Sequence, residues 1–185
     1  MNPHPYRINL GCGAYPLPPN DWWNVDADPT APADAHYRFP PIDASDESVD
    51  EIYAGHVLEH FEPDEAAAFL AECRRVLVPG GRLGVVVPNV RKVLAHYVAG
   101  DHTEVEVPAG VYWNLDDLEA VNAVFLYSTI QESRHRWGYD ARTLCRTLER
   151  AGFYVEDSIR LDDPRLSVPR WYDLGYQCVK RERRT

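Results

Sequence analysis

A chain of 185 residues has room for a single large core and hardly for two. With 45% apolar residues, 26% charged residues and no apolar run near the length of a bilayer crossing, the composition excludes a membrane-spanning protein. A net charge of −10 argues against nucleic acid as a partner, because affinity for that polymer draws on clustered Lys and Arg, and it favours small molecules.

The first chemical signal is Ile8-Asn9-Leu10-Gly11-Cys12-Gly13, an apolar run that ends in two glycines bracketing one residue. Glycines there let the backbone turn sharply and approach a ligand with no Cβ in the way. A second short strand, Trp22 to Val25, leads to Asp26, an acid placed to accept two hydrogen bonds from a ribose diol. A pyrophosphate-binding turn would open a helix and place its acid about 20 residues on. Here Gly13 is followed by Ala14-Tyr15-Pro16-Leu17-Pro18-Pro19, which cannot continue as a normal helix, and Asp26 lies fifteen residues after Gly11. The first crossover is therefore expected to be a short loop or a single turn. The ligand so defined has a ribose and no pyrophosphate, which fits S-adenosylmethionine.

Further strands are predicted over Ala33 to Tyr37, Glu51 to Gly55, Leu83 to Val87, Tyr154 to Ile159 and Tyr176 to Lys180. Between the second and third of these, Phe69, Leu70, Cys73, Val76 and Leu77 recur at helical spacing after Pro63. Asp64 and Glu65 suit the start of that helix, Arg74 and Arg75 its end, and Pro79-Gly80-Gly81 its stop. A short helix over Val90 to Val98 and a longer one over Asp116 to Ile130 follow. Asp140 then caps a helix carrying Leu144 and Leu148. Cys12, Cys73, Cys145 and Cys178 are far apart, with no Cys-x-x-Cys pair, and read as reduced and structural. The basic run Lys180-Arg181-Glu182-Arg183-Arg184 reads as a solvated tail. The N-terminus has neither a basic region nor an apolar targeting stretch, so cytoplasmic residence is expected.

Four segments in order, Asn9-Leu10-Gly11-Cys12-Gly13, Asn24-Val25-Asp26, the block from Ser48 through His56-Val57-Leu58-Glu59-His60 to Phe61, and Leu77-Val78-Pro79-Gly80-Gly81-Arg82-Leu83, resemble the small bacterial-type class I S-adenosylmethionine-dependent methyltransferases. The resemblance spans most of the chain. It implies an α/β fold: a Rossmann-like seven-stranded, mostly parallel sheet with helices on both faces, its seventh strand antiparallel and its first crossover helix shortened. It also implies that Gly11, Cys12 and Gly13 hold the methionine end of the cofactor and that Asp26, followed by Ala27, holds the ribose. Gly55 and His56 would end the fourth strand beside the transferable methyl. Many relatives place an acid just after the third strand for the adenine amine. In His36-Tyr37-Arg38-Phe39-Pro40-Pro41 there is none, which leaves backbone groups and stacking on Tyr37, with Asp34 and Asp43 nearby.

A sulfonium is already an activated donor, so the protein has only to position, desolvate and, for a hydroxyl or protonated amine, remove a proton. His56 is the first candidate base and His135 the second. Residues 90–139, which the core fold does not require, are expected to form a lid over the acceptor within a single domain, unless a partner subunit in a homodimer covers it. Arg134, His135 and Arg136 beside Trp137 suit an anionic or polyhydroxyl small molecule such as a sugar. Trp113, Trp171 and Tyr172 are further stacking candidates. Two other functions fit part of the pattern. One is a non-catalytic cofactor-binding subunit. The other is a zinc hydrolase using His56-x-x-Glu59-His60, whose chemistry would need both histidines on successive turns of one helix. The expectation is no metal.

Overall fold

The computed structural model describes residues 6–100, 104–106, 112–114, 134–166 and 169–181, with backbone alone for the two three-residue pieces. Its strands are Arg7–Leu10 (β1), Trp23–Asp26 (β2), Ala35–His36 (β3), Val49–Gly55 (β4), Leu77–Pro88 (β5), Glu104–Glu106 (β6), Tyr112–Asn114 (β7), Phe153–Ser158 (β8) and Asp173–Lys180 (β9). Seven of them make one sheet in the order β3-β2-β1-β4-β5-β9-β8, while β6 and β7 pair separately. Neighbours from β3 across to β5 are parallel, and β9, the last strand in the chain, is antiparallel to both β5 and β8. This is the expected Rossmann-like sheet. Because chain order reverses between β1 and β4, their carboxyl ends flank a crevice of the kind in which α/β sheets bind ligands. Antiparallel β9 brings its first residue to the same edge, where Asp173 stands opposite Pro88.

The helices are Pro63–Val76 (α1), Val90–Ala99 (α2) and Ala141–Arg150 (α3). Pro63 opens α1, and the Glu62 amide donates to Glu65 Oε2 at 2.9 Å. Asp140 Oδ1 caps α3 by accepting from the Thr143 amide at 2.8 Å. Ile8, Leu10, Ile52, Ala54, Leu83 and Val85 point to one face and pack with Phe69, Leu70 and Cys73 of α1 and Leu144 and Leu148 of α3. Burying each such side chain is worth about 1.5–3 kcal/mol, so this face dominates stability. On the other face Tyr53 and Val86 meet loop residues Leu17, Trp22, Ile159 and Leu166.

Three local expectations change. No helix, not even a shortened one, joins β1 to β2, because Pro16, Pro18 and Pro19 leave only turns between Gly11 and Trp22. Leu77 is not the last helical core residue: α1 ends at Val76, and Leu77, followed two residues later by Pro79, turns extended and pairs with Val49 as the start of β5. Lys180 is not part of a solvated tail. It is 7% exposed at the end of β9, where its ammonium donates to the Leu77 carbonyl at 2.6 Å and approaches Glu47 at 3.2 Å. The helix expected over Asp116 to Ile130, within the 90–139 lid, lies outside the described residues. Among the described residues no helix is long and apolar enough to cross a membrane.

Candidate active site

At the end of β1 the chain turns through Gly11 and Gly13, whose φ values of +71° and +54° are left-handed. A Cβ on Gly11 would lie 2.5 Å from Val57 Cγ2, so the glycine lets the β1 turn touch the loop that follows β4. A Cβ on Gly13 would meet nothing within 4 Å, which leaves its backbone facing open space. Between them Cys12 is buried, and burial together with the Asp26 charge pushes its thiol up to about 11, so it packs and does not react.

Asp26, at the end of β2, spans the turn. Its Oδ2 accepts from the Gly13 amide at 2.7 Å and its Oδ1 from the Asp28 amide at 2.8 Å. An ionised carboxylate has about four acceptor positions, so two remain for a diol. Ala27 is exposed beside it. The amide of Tyr37 donates to the Asp26 carbonyl at 3.1 Å, which brings the third-strand loop alongside the same acid. Tyr37 packs edge-on to Phe39 and receives a long bond from the Asp43 amide. Asp34, one of the two acids near the adenine position, is engaged elsewhere, since its Oδ2 accepts from the Asn24 amide at 2.7 Å.

One pair of residues in the motif has a role that strand-and-turn patterning does not reveal. Asn9 and Asn24 are both buried, and Asn9 Nδ2 donates to Asn24 Oδ1 at 2.9 Å. Asn24 also accepts from the Leu17 amide and donates to the Leu17 carbonyl, at 2.8 and 2.9 Å. The proline-rich loop, which has no helix of its own, is thereby tied to the sheet by a buried side-chain amide. The only signal for this in the sequence is a polar residue at an inward strand position in each of two adjacent strands.

Beyond β4 the environment is ionic. Gly55 is small because a Cβ there would press on the Tyr53 ring. His56 follows with φ +56°, unusual for a residue with a side chain. Its Nδ1 lies 3.1 Å from Glu59 Oε1, and its Nε2 lies 3.2 Å from Asp173 Oδ1 and 2.9 Å from Arg170 Nη1. Burial alone would lower the imidazole pKa, but Asp173 and Glu59 outweigh it and raise it to about 9. With both nitrogens engaged, His56 is poorly placed to take a proton from an acceptor. Glu59 is itself buried, which would raise its pKa, yet His56, then His60 and His135, draw it down to about 2. Arg170 and Asp173, more than a hundred residues after His56, were not among the candidates. The Pro88–Asp173 register of antiparallel β9 brings them here.

His135 also reaches this carboxylate, with its Nε2 3.9 Å from Glu59 Oε1. Its segment is strapped to the β4 loop: the Arg136 and Trp137 amides both donate to the Glu59 carbonyl, at 2.8 and 3.1 Å. The helical zinc arrangement is not formed. Only Leu58–His60 make a single 3-10 turn, and left-handed His56 stands outside it, so His56 and His60 are not on successive turns of a helix. Arg136 faces Glu65 at 3.3 Å, whereas Arg134 is exposed. Trp171 stacks on His96 with centroids 4.6 Å apart and meets Tyr172 edge-on, a packing role. The Trp113 side chain lies outside the described residues.

A family model described as a methyltransferase domain matches residues 27–85. No curated protein matches the sequence. Solved structures do. One is the 1,6-didemethyltoxoflavin N1-methyltransferase of Burkholderia thailandensis with 1,6-didemethyltoxoflavin and S-adenosylhomocysteine bound, 17% identical over 96% of this chain and 71% of its own, with a TM-score of 0.56. An S-adenosylmethionine-dependent methyltransferase of Clostridium acetobutylicum is 13% identical over 95% and 84%, with a TM-score of 0.60. A Thermotoga maritima protein described as an S-adenosylmethionine-dependent methyltransferase, possible histamine N-methyltransferase, is 13% identical over 98% and 84%, with a TM-score of 0.58. At these identities the likeness to the solved structures is one of fold.

Proposed function

We propose that this chain is a class I S-adenosylmethionine-dependent methyltransferase, a reading supported by the methyltransferase-domain match over residues 27–85 and by the fold, and that it moves the methyl group onto a small-molecule acceptor bearing a hydroxyl or an amine. The observation that carries the reading is Asp26. It holds the Gly13 and Asp28 amides at the carboxyl ends of β1 and β2, beside the crevice that opens between β1 and β4, and keeps acceptor positions for a ribose diol. Gly11, Cys12 and Gly13 would line the methionine end, with Gly55 and His56 across the crevice. Tyr37, bonded through its amide to Asp26, would flank the adenine.

In the reaction the acceptor's lone pair attacks the methyl carbon in line as the carbon–sulfur bond breaks, leaving a neutral thioether, and the hydroxyl or amine proton passes to solvent water, so catalysis is chiefly positioning. His56 acts as a positioning residue: it links Glu59 of the β4 loop to Asp173 and Arg170 at the β9 end and so fixes the wall facing the cofactor turn. A small acceptor is supported by the net charge of −10 and by the Burkholderia protein, which is solved with the small molecule 1,6-didemethyltoxoflavin bound. Exposed Arg134, on the 90–139 segment proposed to cover the acceptor, suits an anionic or polyhydroxyl compound such as a sugar.

Calorimetric titration of the wild type and Asp26→Ala with S-adenosylmethionine and S-adenosylhomocysteine tests the reading. Loss of a charged acceptor should weaken both by about 1.5–3 kcal/mol, roughly ten- to 150-fold. Equal affinity in the two proteins would mean that the pocket lies elsewhere.

A further inference from the structure

Glu59, His60 and His135 each offer one ligand atom, and these three atoms lie within 4.8 Å of one another. Their arrangement goes beyond proximity. Glu59 is 2% exposed, and its Oε2 has no hydrogen-bond partner among the described residues, an arrangement that ordinarily costs free energy. His60 Nδ1 lies 3.2 Å from the Arg134 carbonyl, which can only accept, so this nitrogen carries a proton and Nε2 is the one left to face a ligand. A ring N–H given to a backbone carbonyl is the usual way in which a metal-ligating histidine is oriented. The His60 and His135 rings stand edge to face with centroids 4.8 Å apart. Two imidazoles on one tetrahedral ion, with bonds of about 2.0–2.1 Å, have centroids roughly 5 Å apart.

The backbone presets this geometry. The Arg136 and Trp137 amides grip the Glu59 carbonyl immediately after His135, and the His60 bond grips the Arg134 carbonyl immediately before it. His135 is thus held on both sides against a carboxylate 76 positions earlier in the chain. From Glu59 Oε1 to His135 Nε2 is 3.9 Å and all three ligand atoms lie within 4.8 Å of one another, against the roughly 3.4 Å edge of a tetrahedral site, so an ion would draw the donors together by about 0.5 to 1.4 Å.

We propose that Glu59, His60 and His135 form a binding site for a divalent transition ion, Zn2+ by its preference for imidazole and carboxylate donors, with the fourth position left to water. The site differs from the helical His-x-x-Glu-His arrangement, since His56 is not a ligand and its place is taken by a residue from a distant segment. It would tie the 134–137 segment to the β4 loop, and it does not depend on the methyl-transfer reading.

The test uses full-length, tag-free protein. Metal content is measured after purification and after chelation followed by dialysis against Zn2+. Chelated protein is then titrated with Co2+, and its visible spectrum is followed as a report on coordination. The expected result is one ion per chain, a Co2+ spectrum of four-coordinate type and a melting temperature that rises with Zn2+. In His60→Ala and His135→Ala the affinity should fall on the order of a hundredfold or more and the thermal shift should vanish, while His36→Ala binds as the wild type does. Both histidines are partly exposed, so these variants should fold, and a wild-type circular dichroism spectrum with a cooperative thermal transition in the same samples verifies it. Absence of stoichiometric metal in the wild type, or undiminished affinity in both histidine variants, overturns the proposal.

Discussion

The carboxyl edge of the sheet has two halves, built in opposite ways. On the cofactor half every important bond joins residues close in sequence: Gly13 to Asp26, Asp28 to Asp26, Leu17 to Asn24 and Asn24 to Asp34. On the other half the partners are distant: His56 with Arg170 and Asp173, and Glu59 with His135 and the amides of Arg136 and Trp137. The first half is hydrogen bonding of amide groups to two carboxylates, Asp26 and Asp34, and to the Asn24 side chain, with no cation among those partners. The second is a buried ionic group in which one imidazole serves two acids. Local turns need little of the rest of the fold, whereas the ionic half exists only once β5 and β9 have paired, and its groups are costly to bury separately.

Substitutions in the two halves should therefore fail differently. The largest effect is expected at Gly11. In Gly11→Ala the new methyl meets Val57 and the backbone keeps a positive φ, so stability should drop by about 3–4 kcal/mol in denaturant unfolding. Should Gly11→Ala unfold at the wild-type midpoint, the two halves do not touch there. His56→Ala should cost about 3 kcal/mol, because buried Glu59 and Asp173 both lose a cationic neighbour. The sharper readout is kinetic: methyl transfer should fall in kcat while cofactor affinity, measured below the melting transition, stays within about twofold. A matching loss of cofactor affinity would merge the two halves into one unit.

Asn24→Ala comes next, at about 2–3 kcal/mol, since the Asn9 amide and both Leu17 backbone groups lose their buried partner. It should also weaken the cofactor, because the loop it ties down leads from the glycine turn, and the intact Asp26 carboxylate should not rescue that loss. Arg136→Ala should be the mildest. Its ion pair with Glu65 is about half exposed on both sides and worth under about 1 kcal/mol. A rise in acceptor KM in this variant, with unchanged cofactor affinity, would show that the guanidinium leaves Glu65 for the acceptor.

While the arrangement of the sheet was legible only through the family resemblance, the sequence by itself determined the strands, the glycine turn and the acid at the end of β2. Each rests on a short-range pattern: apolar alternation, left-handed glycines and an acid fifteen residues after Gly11. It also determined that α1 begins at Pro63 and that Asp140 caps α3, because caps depend on residues three or four apart. What His56 does could not be read that way. In isolation a histidine at a strand end is a base near neutrality, and only the antiparallel return of β9, which sets Asp173 opposite Pro88, gives its second nitrogen a partner and raises its pKa. His135 became a neighbour of Glu59 through backbone bonds from the Arg136 and Trp137 amides, and the Asn9–Asn24 pair acquired its role only when β1 and β2 were placed side by side. Tertiary structure decided these points because the charge state and partner of a buried polar group are set by what packs against it, and those neighbours come from anywhere in the chain.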